Sequence, residues 1–175
     1  MSTPFPVDPE ADHDQLRAIR AIFEDAVNSR DIDRLAPILD EGVTGVPVTG
    51  EEVRGLDGLR AYWRKVWEMI GEGGSYRVEV HPELSSLYGD LAVARGSADE
   101  RVVTDNGREF RYTSHWTAVA RRVADGTWKV LRMHSAMDPV NNPFVAAQVR
   151  ASRITYGAGG LVLGLLLGFL LTRLV

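Results

Sequence analysis

The chain has 175 residues, no Cys, four His and a formal net charge of −4. That length fits one domain of roughly 140 residues and a tail, large enough to bury a core without staples. The missing cysteines exclude disulfides, thiolate metal sites and Cys nucleophiles, and a mildly acidic chain with no Lys/Arg block lacks the electrostatic attraction that nucleic-acid binding needs.

Residues 1–14 carry Pro4, Pro6, Pro9 and four acids, with no basic stretch followed by an apolar one, and read as a disordered lead-in rather than a secretory signal. From Gln15 the pattern turns helical. Leu16, Ile19, Phe23, Ala26 and Val27 share one face of a helix over Gln15–Ser29. A shorter helix is expected over Asp31–Leu39, capped by Asp31 and made irregular by Pro37. Gly42–Gly50 then reads as a short strand placed by Pro47 at an edge or a bulge. Asp57 is the expected cap of a third helix, Gly58–Ile70, whose Leu59, Tyr62, Trp63, Val66, Trp67 and Ile70 form one apolar face.

Gly71–Gly74 ends that helix, and from there alternation replaces helical spacing. Ser75–Leu84 sets Tyr76, Val78 and Val80 against Arg77, Glu79 and His81. Gly89-Asp90 turns the chain into a long strand, Leu91–Thr104, with Gly96 expected at a bulge. Asp105-Asn106-Gly107 and Asp125-Gly126 are hairpin turns bounding two further runs. In Arg108–Val123 one face carries Phe110, Tyr112, Ser114, Trp116, Ala118 and Ala120. In Thr127–Ser135 strict alternation groups Trp128, Val130, Arg132 and His134. The fold class is α+β, with helices packed on one side of a curved, mainly antiparallel sheet.

Three segments carry a family likeness: Asn28-Ser29-Arg30-Asp31-Ile32-Asp33, Arg54-Gly55-Leu56-Asp57-Gly58-Leu59, and Arg121–Val130 with His134-Ser135 closing the last strand. With the element order, they make residues 15–138 resemble the SnoaL-like members of the NTF2-like superfamily. The resemblance implies a cone of three N-terminal helices wrapped by a bent sheet, with the ligand pocket inside and a homodimer formed through the sheet. It does not fix an activity, since the superfamily holds isomerases, cyclases, dehydratases, hydrolases and proteins that only bind or assemble.

Six residues are expected to line that pocket: Trp63, Trp67, Tyr112, Trp116, Arg132 and His134. His134 is the best acid/base candidate, because imidazole titrates near neutral pH, and Arg132 on the same face would hold a carboxylate or enolate oxygen. Ketosteroid-isomerase relatives use a carboxylate in the first strand and a Tyr in the first helix. Val43–Thr49 has no carboxylate and the first helix no Tyr, so that mechanism is not supported. The scattered His residues give no metal-ligand spacing, and no cofactor is implied. Three readings stay open: a domain that binds a small, largely apolar ligand or mediates assembly; an isomerase, cyclase or hydrolase acting on a lipophilic substrate; and an interaction module whose cone is filled by Trp63 and Trp67.

After the domain, Asn142-Pro143 is a helix-start pair within a juxtamembrane piece, 139–153. A transmembrane helix is expected over 154–173. Its core, Ile154–Thr172, is 19 uncharged residues, about 28 Å of helix against a ~30 Å hydrocarbon layer. Gly160, Gly164 and Gly168 line one face of it, a spacing that favours close helix pairing. The expectation is a tail anchor, with the domain in the cytoplasm.

Overall fold

The computed structural model describes residues 8–140 and 142–156. Its first unit, ending at Met137, holds helix α1 (Pro9–Ser29), a 3-10 helix (Ile32–Ile38), β1 (Leu39–Val46), β2 (Val53–Arg54), α2 (Gly55–Ile70), β3 (Ser75–Pro82), β4 (Ser86–Tyr88), β5 (Leu91–Val103), β6 (Glu109–Arg122) and β7 (Trp128–Met137). One sheet runs in the order β2-β1-β7-β6-β5-β3, with β4 also on β5. Every pairing is antiparallel except β1 with β7. The helices bury their apolar faces against the sheet. Val27, Leu35 and Ile70 are at most 1 % exposed, and each such side chain contributes about 1.5–3 kcal/mol through burial.

α1 starts six residues before the expected position, which corrects the lead-in for residues 9–14. Asp8 caps the helix by accepting from the Ala11 N–H at 3.2 Å, and Pro9 stands at its first position. Asp12 is then drawn to the β6–β7 hairpin. Its carboxylate accepts from Trp128 Nε1 at 3.0 Å and from the Arg122 guanidinium. At its far end α1 covers the open edge of β3. Asn28 pairs with both backbone groups of Val78 at 2.9 Å, and the Glu24 carboxylate accepts from the Val80 N–H at 3.2 Å. A bare strand edge is thus satisfied by helix side chains.

The sheet differs from expectation in two places. β5 pairs with β6 without interruption through Gly96, so there is no bulge there. Gly96 serves a close approach instead, since a Cβ would lie 2.2 Å from the His81 carbonyl oxygen and 2.8 Å from Trp116 Cζ2. The bulge is in β7. Ala120 faces Val130 and Val119 faces Arg132, leaving Leu131 as the extra residue. One extra residue exchanges the two faces of a strand.

In the second unit, residues 143–156 are helical, with Asn142 Oδ1 accepting from the Val145 N–H at 3.0 Å as the cap expected there. The expected span falls mostly on residues 157–175, outside the described residues. Among the described residues no helix is long and apolar enough to cross a membrane.

Candidate functional site

The cone encloses a cavity of about 360 Å³. Its walls come from α1 (Ile19, Phe23), α2 (Leu59, Trp63), β3 (Val78, Val80) and the inward faces of β5, β6 and β7. On β6 the inward face is the one alternation predicts, and it gives Ser114, Trp116, Ala118 and Ala120 to the wall. The cone is therefore not filled by Trp63 and Trp67, which corrects that part of the third sequence reading.

The six expected lining residues separate. Trp63 and Trp116 line the cavity. The Trp116 indole N–H donates to the Ser97 carbonyl at 3.0 Å, which leaves ring carbon toward the interior. Trp67 and Tyr112 stand behind the wall. Trp67 stacks on Trp63, ring centres 5.4 Å apart, with the Arg30 guanidinium 4.6 Å over its ring. Arg132 and His134 are exposed on the outer sheet face, and the expectation that they point inward is corrected. The Leu131 bulge is the cause, because beyond it Met133 and Ser135 face the cavity. Arg132 instead donates to the Gly42 carbonyl at 2.8 Å.

The polar end of the cavity is Glu100, only 7 % exposed. One carboxylate oxygen, Oε2, accepts from the Tyr112 hydroxyl at 2.7 Å and from the Tyr76 hydroxyl; the other, Oε1, accepts from the Ser114 hydroxyl. Burial, followed by the negative charge of Glu100, pushes the Tyr76 and Tyr112 hydroxyls well above the ordinary phenol range. Burial pushes the Tyr62 hydroxyl up to about 12, against a smaller lowering by its bond with Thr49. All three phenols thus stay protonated and able to donate at neutral pH. The Trp63 ring meets Tyr76 edge-on at 5.2 Å and Tyr62 at 5.6 Å, so the aromatic cluster holds the hydroxyls in place.

Sequence reasoning did not single out Glu100, Tyr76 or Ser114. A signal was present: Glu100 falls on the Ala92, Ala94, Gly96, Ala98, Val102 face of β5, a lone charge at an inward position. Another carboxylate, Asp40, is buried on β1. Arg121 holds it with two bonds, at 3.0 and 2.6 Å, and the Gly42 N–H donates to it at 2.9 Å. Among the described residues no cluster of His and carboxylates is arranged to hold a metal.

This cone resembles known folds. The model of the SnoaL-like domain family matches residues 19–131. A nuclear transport factor 2-like superfamily protein from Salmonella enterica superposes with a TM-score of 0.65 at 13% identity, covering 78% of this chain and 97% of the other. A ketosteroid isomerase-like protein from Erwinia carotovora atroseptica gives 0.62 at 15% identity, with 72% and 95% covered. An uncharacterized protein with a cystatin-like fold from Caulobacter vibrioides gives 0.59 at 20%, with 82% and 99% covered. At these identities the likeness is one of fold. No curated protein matches the sequence.

Proposed function

This chain belongs to the SnoaL-like domain family, and we propose that its cone binds one small, largely apolar molecule with a polar group held at Glu100. The observation that carries the reading is the cavity itself. Its ~360 Å³ lie within the size range of ligand sites, and its wall is aliphatic and aromatic with a few convergent polar groups at one end. Native mass spectrometry of the full chain, purified gently from its host into lipid nanodiscs, tests this. A small-molecule adduct released on denaturation supports the proposal, and a bare chain mass with no uptake of lipophilic probes counts against it.

The same cluster favours a second reading, an isomerase, cyclase or hydrolase acting on a lipophilic substrate. A buried carboxylate beside protonated phenols is a set of groups that moves a proton and steadies an oxyanion. In that reading Glu100 takes the acid/base role that the sequence suggested for His134. Turnover of a lipophilic carbonyl substrate lost in Glu100→Gln but kept in His134→Ala would support it.

For the tail, we propose that 154–172 anchors the domain to a membrane. The support is its run of 19 uncharged residues. Deleting 154–175 should move the protein from the membrane pellet to the supernatant; a truncated protein that still pellets would contradict the anchor.

A further inference from the structure

Ionisable residues line the cavity at two levels. His13, Arg17, Arg20 and Glu83 stand on α1 and on the segment just after β3, and Glu100 stands deeper on β5. Arg17 pairs with Asp14, Arg20 with Glu24 at 3.3 Å, and Glu83 with Arg95 at 2.6 Å. The charges of Arg17, Arg20 and Glu83 are thus matched. Glu100 is not: among the described residues its partners are three hydroxyls, and no Lys, Arg or His pairs with it.

Three hydroxyls, those of Tyr76, Tyr112 and Ser114, converge on the two oxygens of Glu100, and each can donate to a carboxylate there. An ionised carboxylate offers about four lone-pair sites, and three are used. A buried charge without a counter-charge is costly, and hydroxyl donors offset only part of that cost. At the end of an apolar chamber the cavity therefore presents a carboxyl group with no cation beside it among the described residues and, when ionised, one acceptor site left over.

From this we infer that the molecule bound in the cone is a lipophilic amine, its ammonium group seated against the Glu100 carboxylate and its apolar body extending toward Gly96 and Pro82. The inference rests on the ligand-binding reading above. From Glu100 to Gly96 is four residues along β5, about 13 Å at ~3.3 Å per residue, and Val78, Val80, Ala98, Ser114 and Trp116 line that distance. An alcohol would fill the acceptor site without matching the charge. A carboxylic acid would meet a like charge at close range and be disfavoured.

The test is calorimetric titration of the full chain in lipid nanodiscs, with empty nanodiscs as the blank, at neutral pH. Three probes share one body: naphthylmethylamine, naphthylmethanol and naphthoate. The amine should bind at least about tenfold tighter than the alcohol, as expected for a charge-assisted bond in a buried site, and naphthoate should bind weakest. Glu100→Gln should bring the amine down to the level of the alcohol. Equal binding of amine and alcohol by the wild type overturns the amine inference and leaves the ligand-binding reading standing. Binding of none of the three, with a bare mass in the native spectrum, overturns both. The wild-type series decides by itself if Glu100→Gln does not fold.

Discussion

Replacing Asp12 by Ala probes how firmly the start of α1 is built into the domain. The Asp12 and Arg122 side chains are 4 % and 8 % exposed, so this is a buried pair, and Asp12 also accepts from Trp128 Nε1 at 3.0 Å. The Arg122 guanidinium lies 4.8 Å over the Trp128 ring, so all three side chains form one unit. Removing the carboxylate takes the anion from a guanidinium that water does not reach, a change that costs about 3–5 kcal/mol. At about 3 °C per kcal/mol for a chain of this size, Tm should fall by about 10–15 °C. Asp12→Asn keeps an acceptor for Trp128 and a neutral one for Arg122, and should lose less than half as much. The assay is thermal unfolding followed by near-ultraviolet circular dichroism, where Trp128 reports its own surroundings. A loss below about 1 kcal/mol in Asp12→Ala would refute the reasoning and return residues 9–14 to the status of a loose lead-in.

Other consequences are as direct. Gly96→Ala should destabilise by about 1–3 kcal/mol in a urea titration, because its Cβ would press on the His81 carbonyl and the Trp116 ring; an unchanged midpoint would show that the strands separate easily. Asp40 is held below the usual carboxylate range: burial raises its pKa, but the Gly42 N–H and the Arg121 guanidinium together lower it further. A depressed folded-state pKa gives stability that is complete above the unfolded value and lost as pH falls through the folded one, so the loss belongs below about pH 4. Asp40→Asn should flatten that acid limb, and an identical acid profile would deny Asp40 the role. Ser114→Ala removes one donor from Glu100 Oε1, and should weaken amine binding less than Glu100→Gln does; a loss as large as that of Glu100→Gln would show that the hydroxyl, not the charge, holds the ligand.

How much of this was legible depends on where the chain keeps a regular period. β6 keeps its alternation, so Ser114, Trp116 and Ala118 were placed together on one face correctly, and Asp125-Gly126 marked the hairpin. β7 does not. Trp128, Val130, Arg132 and His134 continue a perfect period of two, and nothing in those letters shows that Leu131 is an extra residue. The bulge is set by pairing with β6, a tertiary property, and it carried the expected acid/base residue to the outer face. Glu100 was missed for a different reason. A single charge among small residues reads as a solvent-facing position until the strand is known to be covered by helices. Trp63 and Trp67 show a third limit. Both belong to the apolar face of α2, but spacing does not report depth, and only Trp63 reaches the cavity.

If the open apolar chamber takes a small molecule, filling the chamber should shut that molecule out. Ala118 lines the cavity from the middle of β6. Ala118→Trp should place a ring in empty space, leaving Tm unchanged or raised, because new apolar surface is buried without displacing neighbours. In the same variant, binding of naphthylmethanol measured by titration should weaken by more than about tenfold. A fall in Tm equivalent to the ~1–3 kcal/mol of an overpacked core, with naphthylmethanol binding as in the wild type, would contradict the account.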